Sequence, residues 1–328
     1  MHKVKVSVIV PVYKVEQYIE RCARSLFSQT LADMEFIFVD DNSPDKSIDI
    51  LKEVLEDYPQ RLSQTVIIRN PTNLGLLQTR SKGQLAAIGE YLGAVDSDDW
   101  VEPDTYEKLY FQAISDNADA VIFGYHRDFI NRSEKCIRIF PYQKGKDLVA
   151  NVYRFPFEFF TCGALIRNDD RLQEVIKLYY NHEEWASLTM WEDVAVMFPF
   201  YYGANRISYS RECFYHYNKA NENSAVNTQN LKKIEDAYKV MDYLAALYDN
   251  VPSLTMTINC LKFGAKGALM DIIGLDAWRN EHREANKNIF SYSSIPLKLR
   301  IYYYLLLKGF SFPYKLLKLM KEIGPKGF

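Results

Sequence analysis

No apolar run in this 328-residue chain approaches the roughly 20 residues that a helix needs to cross a bilayer. The first strand-like run, Val4 to Val12, has no small-residue cleavage site behind it, so no secretory leader is expected. There is no Gly-x-Gly-x-x-Gly turn after that strand and no Gly-x-x-x-x-Gly-Lys loop. Their absence argues against a dinucleotide oxidoreductase and a nucleoside triphosphatase. His182-Glu183-Glu184-Trp185 lacks the second histidine of a zinc-protease helix. Cysteines are few and odd in number: Cys22, Cys136, Cys162, Cys213 and Cys260 lie far apart. They read as reduced core thiols of a cytosolic protein, with neither zinc pairing nor a disulfide framework. A formal net charge of −2 gives no reason to expect nucleic acid as a partner. Repeats and low-complexity tracts are missing too, and the length suits one large domain with an appendage.

Clustered acid is what the chain does have. In Ala94-Val95-Asp96-Ser97-Asp98-Asp99-Trp100, three carboxylates fall directly after the apolar run Tyr91 to Val95. Carboxylates this close repel unless a cation or a proton neutralises them. Mg²⁺ or Mn²⁺ takes one or two carboxylates and fills its other positions with water and substrate phosphates, so the turn reads as a metal-diphosphate site. An Asp/Ser turn can also cap a helix beginning near Pro103, with Asp98 or Asp99 serving only as an N-terminal charge.

The surroundings of that turn favour the first reading. Val6 to Val12 is a β-branched run, followed by a helical pattern from about Glu16 to Ser28. Glu35 to Val39 is a second buried strand that also ends in acid, Asp40-Asp41-Asn42-Ser43-Pro44. Ser43 before Pro44 predicts a helix start. Thr65 to Ile68 is a third strand, and a helix over Leu76 to Ile88 returns the chain to the strand before Asp96. This alternation predicts an α/β fold: a Rossmann-like, mostly parallel sheet with helices on both faces. Ligands of such sheets sit beyond the carboxyl ends of the strands, where Val10 to Tyr13, Asp40-Asp41 and Asp96 to Asp99 should form one edge.

Taken in order, Val6 to Tyr13, Ser25-Leu26-Phe27-Ser28-Gln29-Thr30, Val39 to Ser43, Asn73-Leu74-Gly75 and Asp96 to Trp100 resemble the nucleotide-sugar half of family 2 glycosyltransferases. Those are inverting enzymes of GT-A fold, and the likeness is to the bacterial surface-polysaccharide type. Beyond residue 110 the match thins. It resumes at Trp191-Glu192-Asp193, similar to the acidic pair that supplies the family's catalytic base, and at Tyr215-His216-Tyr217 with Ser224 behind it.

The resemblance implies roles for these residues. Tyr13 would stack on a nucleotide base, Asp41 would accept from its imide N–H, and Pro11 and Val12 would shape the adjoining pocket. Arg80 would face the nucleotide edge unless it is a solvated helix arginine. Asp96 would lie near the ribose, Asp98 would ligate the metal, and Asp99, with Ser97 in the same turn, would orient donor hydroxyls or a ligand water. An acceptor hydroxyl loses its proton as the new bond forms, and Asp193, with Glu192 as its rival, would take it. His216 would complete the metal shell or bind phosphate. Many family members carry a basic residue where Asn218 stands, and Lys219 or His216 can substitute for it.

The rest of the chain divides by pattern. Residues 1–115 read as the nucleotide-sugar half, 116–229 as the acceptor half, and 230–328 as a helical extension without strand signals. Strands are expected at Ala120 to Tyr125, Thr161 to Ile166, Arg206 to Ser210 and Cys213 to Tyr215, and helices at Arg171 to Tyr180 and Asp193 to Tyr202. Trp185 or Trp191 can contact an acceptor sugar, while most of the phenylalanines between 155 and 160 read as core. Lys219 to Gln229 reads as a loop that orders over bound donor. From Ile295 to Phe328, Lys298, Arg300, Lys308, Lys315, Lys318, Lys321 and Lys326 face a single acid, Glu322, among aromatic and aliphatic residues. That composition suits a basic amphipathic surface on anionic lipid, or a packed helix with a solvated lysine face.

The expected activity is metal-assisted transfer of a sugar from a UDP-sugar to a hydroxyl of a glycan or lipid-linked glycan. It would take place in the cytoplasm or at the inner face of the cell membrane. Two alternatives remain: a polyprenyl-phosphate glycosyltransferase, whose acceptor is already ionised, and a non-catalytic scaffold that binds a sugar nucleotide.

Overall fold

The structure is a computed structural model that describes residues 3–180, 182–186, 188–221 and 231–311. Two compact units divide the chain: residues 1–148 with 159–228, and residues 149–158 with 229–328.

In the first unit, β1 (Val6–Val12), α1 (Ile19–Phe27), β2 (Met34–Asp40), α2 (Ser47–Glu56), β3 (Thr65–Arg69), α3 (Leu76–Ala86) and β4 (Tyr91–Ala94) follow one another in strict alternation. There follow β5 (Trp100–Val101), α4 (Thr105–Asp116), the hairpin β6 (Ala120–Phe129) and β7 (Arg132–Cys136), and α5 (Gly145–Ala150). Next come β8 (Ala164–Arg167), α6 (Asp170–Lys177), α7 (Glu183–Ala186), α8 (Glu192–Gly203) and β9 (Ile207–Asn218). The sheet runs β3-β2-β1-β4-β8-β6-β9-β5, with β7 beside β6. Its β3-β2-β1-β4 half is parallel; β8 is antiparallel to β4 and β6, and β9 is parallel to β6.

Strands β1 and β2 are buried along their whole length because helices cover both faces, which is why they read as continuous apolar runs without alternation. Pro11 lies past Ile9–Ala94, the last residue pair with β4; the Val95 N–H still reaches the Ile9 carbonyl at 3.0 Å, and the ladder stops at the proline, which has no N–H to donate. Arg206 to Ser210 and Cys213 to Tyr215 form a single strand, β9, whose register against β6 shifts around Gly124. The helix predicted to start at Ser43-Pro44 begins at Ser47 instead. Asp45 takes the Ser47 N–H at 3.2 Å, while the Ser43 hydroxyl accepts from the Lys14 N–H at 2.8 Å.

Helix α3 presses close to the sheet through Gly83, where an added Cβ would stand 2.7 Å from Ile9 Cγ2 and 3.0 Å from Val39 Cγ2. Gly75, with φ +83°, opens this helix in a backbone conformation that side chains disfavour.

The second unit is helical among the described residues: α9 (Leu231–Leu247), α10 (Pro252–Ile273), α11 (Leu275–Asn280), α12 (Arg283–Asn286) and α13 (Leu297–Leu307). Trp278 and Leu306 are buried with Ile234, Leu269 and Met270. Lys266 lies wholly buried beneath the Trp278 ring, and burial pushes its pKa down to about 8. None of the described helices is long and apolar enough to cross a membrane.

Because α3 carries Arg80, its seating on the sheet matters to the acidic edge. Gly83→Ala should cost about 1–3 kcal/mol through overpacking against Ile9 and Val39. Denaturant unfolding of parent and variant measures it, and an unchanged midpoint would show that the helix can lift at no cost.

Candidate functional site

Three strand ends supply one edge of the site. After β2, Asp41 lies buried and accepts from Asn70 Nδ2 at 2.8 Å, Leu74 N–H at 2.8 Å and Gly75 N–H at 3.0 Å. It thereby fixes the Asn73-Leu74-Gly75 loop against the end of the strand. Pro11 and Val12 are buried beside it, and Tyr13 is exposed, with Lys14 Nζ 5.2 Å from its ring. Asp40 accepts from the Ser43 N–H at 2.7 Å and pairs with Arg69 at 3.3 Å.

The turn after β4 is held from behind by β9. Asp99 is buried and accepts the Asn218 N–H at 2.7 Å and the Tyr215 hydroxyl. Asp98 accepts from Asn221 Nδ2 at 2.7 Å, and its carbonyl from Asn218 Nδ2 at 3.2 Å. Ser97, just before them, is buried. Burial, followed by repulsion from Asp96, raises the Asp98 pKa; burial with Asp98 and Asp96 raises Asp99 well above the carboxylate range. Raised carboxylates in a half-buried turn are a donor set that a hard divalent cation suits, because the cation removes the repulsion that otherwise demands protons.

Arg80 joins this turn to α8. It is buried, and its Nη2 meets Asp96 at 2.5 Å while its Nη1 meets Asp193 at 2.8 Å and Glu192 at 3.1 Å. Burial opposes the guanidinium charge, but Asp96, Asp193 and Glu192 outweigh it and raise the Arg80 pKa. The sequence leaves open a nucleotide-facing arginine or a solvated one; in the structure all three of its acidic partners are residues of the acidic edge and the helix start. Asp193 also accepts from Thr161 Oγ1 at 2.5 Å. Burial raises both acids, Glu192 to about 7 with Asp193 as the next cause. A cavity of about 10 Å³ lies among Arg80, Ser81, Gln84, Thr161, Glu192 and Asp193. Arg80 Nε and Ser81 Oγ are buried there without a partner. Trp191, just before the acid pair, has φ +73°, a conformation uncommon for a bulky residue.

His216 is placed elsewhere. Its Nδ1 lies 2.7 Å from Asp128 and its Nε2 2.9 Å from Glu102. Its ring is sandwiched between Trp100 at 4.9 Å and His126 at 4.6 Å, and Arg21 covers the far face of Trp100 at 3.4 Å. The group of potential metal ligands around it is His126, Asp128 and His216, without Asp98. Trp185 is buried against Tyr179 at 5.1 Å, which removes it as an acceptor contact, whereas Trp191 is half-exposed. Phe159 is core, stacked on Phe198 at 5.5 Å. All five cysteines are free. Ser224 and most of the Lys219 to Gln229 loop lie outside the described residues.

Sequence reasoning misses Thr161, Asn70, Tyr215 and Asn221 as partners of the acids. Thr161 and Asp193 lie too far apart in sequence for any spacing to link them. Asn218 stands out in the sequence only for a missing charge, yet its amide ties down the Asp98-Asp99 turn.

A parallel half-sheet with acids at its carboxyl edge, continued by a mixed half that supplies a second acidic pair, defines the GT-A class of α/β fold. The chain belongs to glycosyl transferase family 2, whose family model matches residues 7–175. It is 40% identical over 127 residues to the uncharacterized glycosyltransferase EpsJ of Bacillus subtilis, covering 39% of this chain and 36% of that one. It is 30% identical over 224 residues to the cholesterol galactosyltransferase of Borreliella burgdorferi, covering 66% and 60%. The chain therefore spans less than two thirds of either relative. The crystal structure of Staphylococcus aureus TarS 1–349 superposes with a TM-score of 0.67 at 20% identity, over 98% of this chain and 92% of that one. The same TarS fragment has been solved in complex with UDP-GlcNAc, with a TM-score of 0.66 at 21% identity.

An acid raised by burial keeps its proton until the pH passes its elevated pKa. Infrared spectra should therefore show a protonated-carboxyl band that fades as pH rises through about 7 and loses intensity in Glu192→Gln. Identical spectra for parent and Glu192→Gln near pH 6 would refute the elevated value.

Proposed function

We propose that this chain transfers a sugar from a nucleotide-diphospho-sugar, a UDP-sugar, to a hydroxyl of a glycan or lipid-linked glycan, with inversion and with help from a divalent metal. The observation that carries the reading is the Arg80 bridge from Asp96 on the donor edge to Glu192 and Asp193 at the start of α8. Two acidic groups with different tasks are thereby held at a fixed spacing. UDP is the nucleotide to test first because the TarS fragment of the same fold has a UDP-GlcNAc complex.

In this reading Tyr13 stacks on the base, and Asp41, with Pro11 and Val12, walls the pocket. Asp96 lies by the ribose. Asp98 holds Mn²⁺ or Mg²⁺, with Asp99 and Ser97 orienting the turn. The bound cation supplies Lewis-acid neutralisation of the charge that grows on the departing diphosphate. Asp193 accepts the acceptor hydroxyl's proton. Thr161 and Arg80 both bind its Oδ1, which fixes the carboxylate. Glu192, pushed towards neutrality by burial, lowers the charge crowding beside it.

Asp98→Asn should abolish the Mn²⁺-dependent rise in melting temperature given by UDP. Asp193→Asn should keep that rise but lose about 10² to 10⁴ in UDP release from UDP-GlcNAc with a lipid-linked glycan fraction as acceptor. Parental turnover in Asp193→Asn together with loss in Glu192→Gln would move the base to Glu192. Parental turnover in both would point to an acceptor that is already ionised, as in a polyprenyl-phosphate glycosyltransferase. Donor binding without transfer under any condition would favour the scaffold.

The proposed placement at the inner face of the membrane rests on α13 and the residues C-terminal to it. Leu297, Leu299, Ile301, Tyr304 and Phe310 are exposed there among Lys298, Arg300 and Lys308, while Leu306 is buried. Lys315, Lys318, Lys321, Glu322 and Lys326 lie outside the described residues. The full chain should co-sediment with anionic vesicles at low salt and be released at high salt. The doubly substituted Leu299→Glu, Ile301→Glu variant should bind less. Supernatant localisation at low salt, or equal sedimentation of parent and variant, would defeat the membrane contact.

A further inference from the structure

A group of ligand-bearing side chains that the proposed transfer does not use lies on one face of the sheet. Trp100 on β5 pairs with His216 on β9, His216 pairs with His126 on β6, and Asp128 follows two residues later. Strand alternation sends all four to the same side. One ligand atom from each of His126, Asp128 and His216 lies within 4.8 Å of the others.

We propose that His126, Asp128 and His216 form a binding site for a borderline transition-metal ion such as Zn²⁺ or Co²⁺, separate from the hard-cation site at Asp98. Donor chemistry separates the two. Imidazole nitrogen favours zinc, cobalt, nickel and copper, whereas a turn of carboxylates and water favours magnesium or manganese. Two imidazoles and one carboxylate are the ligand set of an open zinc centre, and Glu102, 2.9 Å from His216 Nε2, holds the ring nitrogen opposite the one that faces Asp128.

The rings of His126 and His216 lie face to face, 4.6 Å apart and 7° from parallel, so one ion cannot lie in both ring planes as they stand. Ligation requires the His126 ring to turn. Its Nδ1 lies 3.2 Å from the Ser133 hydroxyl, a long hydrogen bond on a half-exposed ring, so little holds it back. An ion gripped here would fasten β6 to β9 beside Asn218, the residue that secures the Asp98-Asp99 turn. This inference stands on the ligand cluster and does not need the transferase reading.

The test uses full-length protein stripped by a chelator and kept in excess Mg²⁺, which occupies oxygen sites without competing for imidazole. Titration with Co²⁺ should give visible d–d absorption that saturates at a single ion per chain. His126→Gln and His216→Gln should each weaken that binding by at least about tenfold. Asp98→Asn should leave it in place, which keeps this outcome distinct from failure of the donor site. Absence of Mg²⁺-resistant cobalt uptake would overturn the proposal. So would uptake unaffected by either histidine change, or near-ultraviolet thiolate bands showing that cysteines bind the ion. Should His216→Gln fail to fold by circular dichroism, His126→Gln decides, since its half-exposed ring supports little else.

Discussion

A single buried guanidinium sets the terms for this molecule. Arg80 carries one positive charge and meets three carboxylates, one from the end of β4 and two from the start of α8. Neither side is tolerable without the other, because an ion left unpaired in the interior typically costs about 3–5 kcal/mol. Burial drives up the pKa of both Glu192 and Asp193, the neighbouring Asp193 adds to the rise at Glu192, and Arg80 opposes it at both. Everything that positions Arg80 therefore matters to the acids: Gly75 at the head of its helix, Gly83 against the sheet, and Asp41 gripping the loop that leads into it.

The parallel half of the sheet was legible because β1, β2 and β4 are buried along their whole length and end in a recognisable acid or turn. The continuous apolar runs at Val6 to Val12 and Glu35 to Val39 could only be buried strands, and the acids after them could only lie at the carboxyl edge. Helix starts were less legible. Ser43-Pro44 carries the local signature, but the Ser43 hydroxyl is spent on Asp45 and the Lys14 N–H, and Asp45 takes the Ser47 N–H at the helix start. Beyond residue 116 the pattern weakens because the pairings are antiparallel, short or bulged, and two expected strands merge into β9.

At the candidate site, the acids were visible in the sequence and their partners were not. Carboxylates crowd together in sequence and so announce themselves. Thr161, Asn70, Tyr215 and Asn221 reach them only through the fold, across separations that no local spacing encodes. His216 shows the converse: a residue type with obvious ligand chemistry, whose neighbours, His126 and Asp128, could be learned only from the register of β6 against β9.

The column Arg21, Trp100, His216 and His126 gives the molecule an optical consequence. Of the four tryptophans, Trp185 and Trp278 are buried, while Trp100 lies between a guanidinium and an imidazole directly after Asp99. Its indole emission is thus coupled to the stacking and charge around it. The fluorophore that senses the acidic turn is native to the chain, so occupancy beside Asp99 can be followed as a change in light without attaching any label.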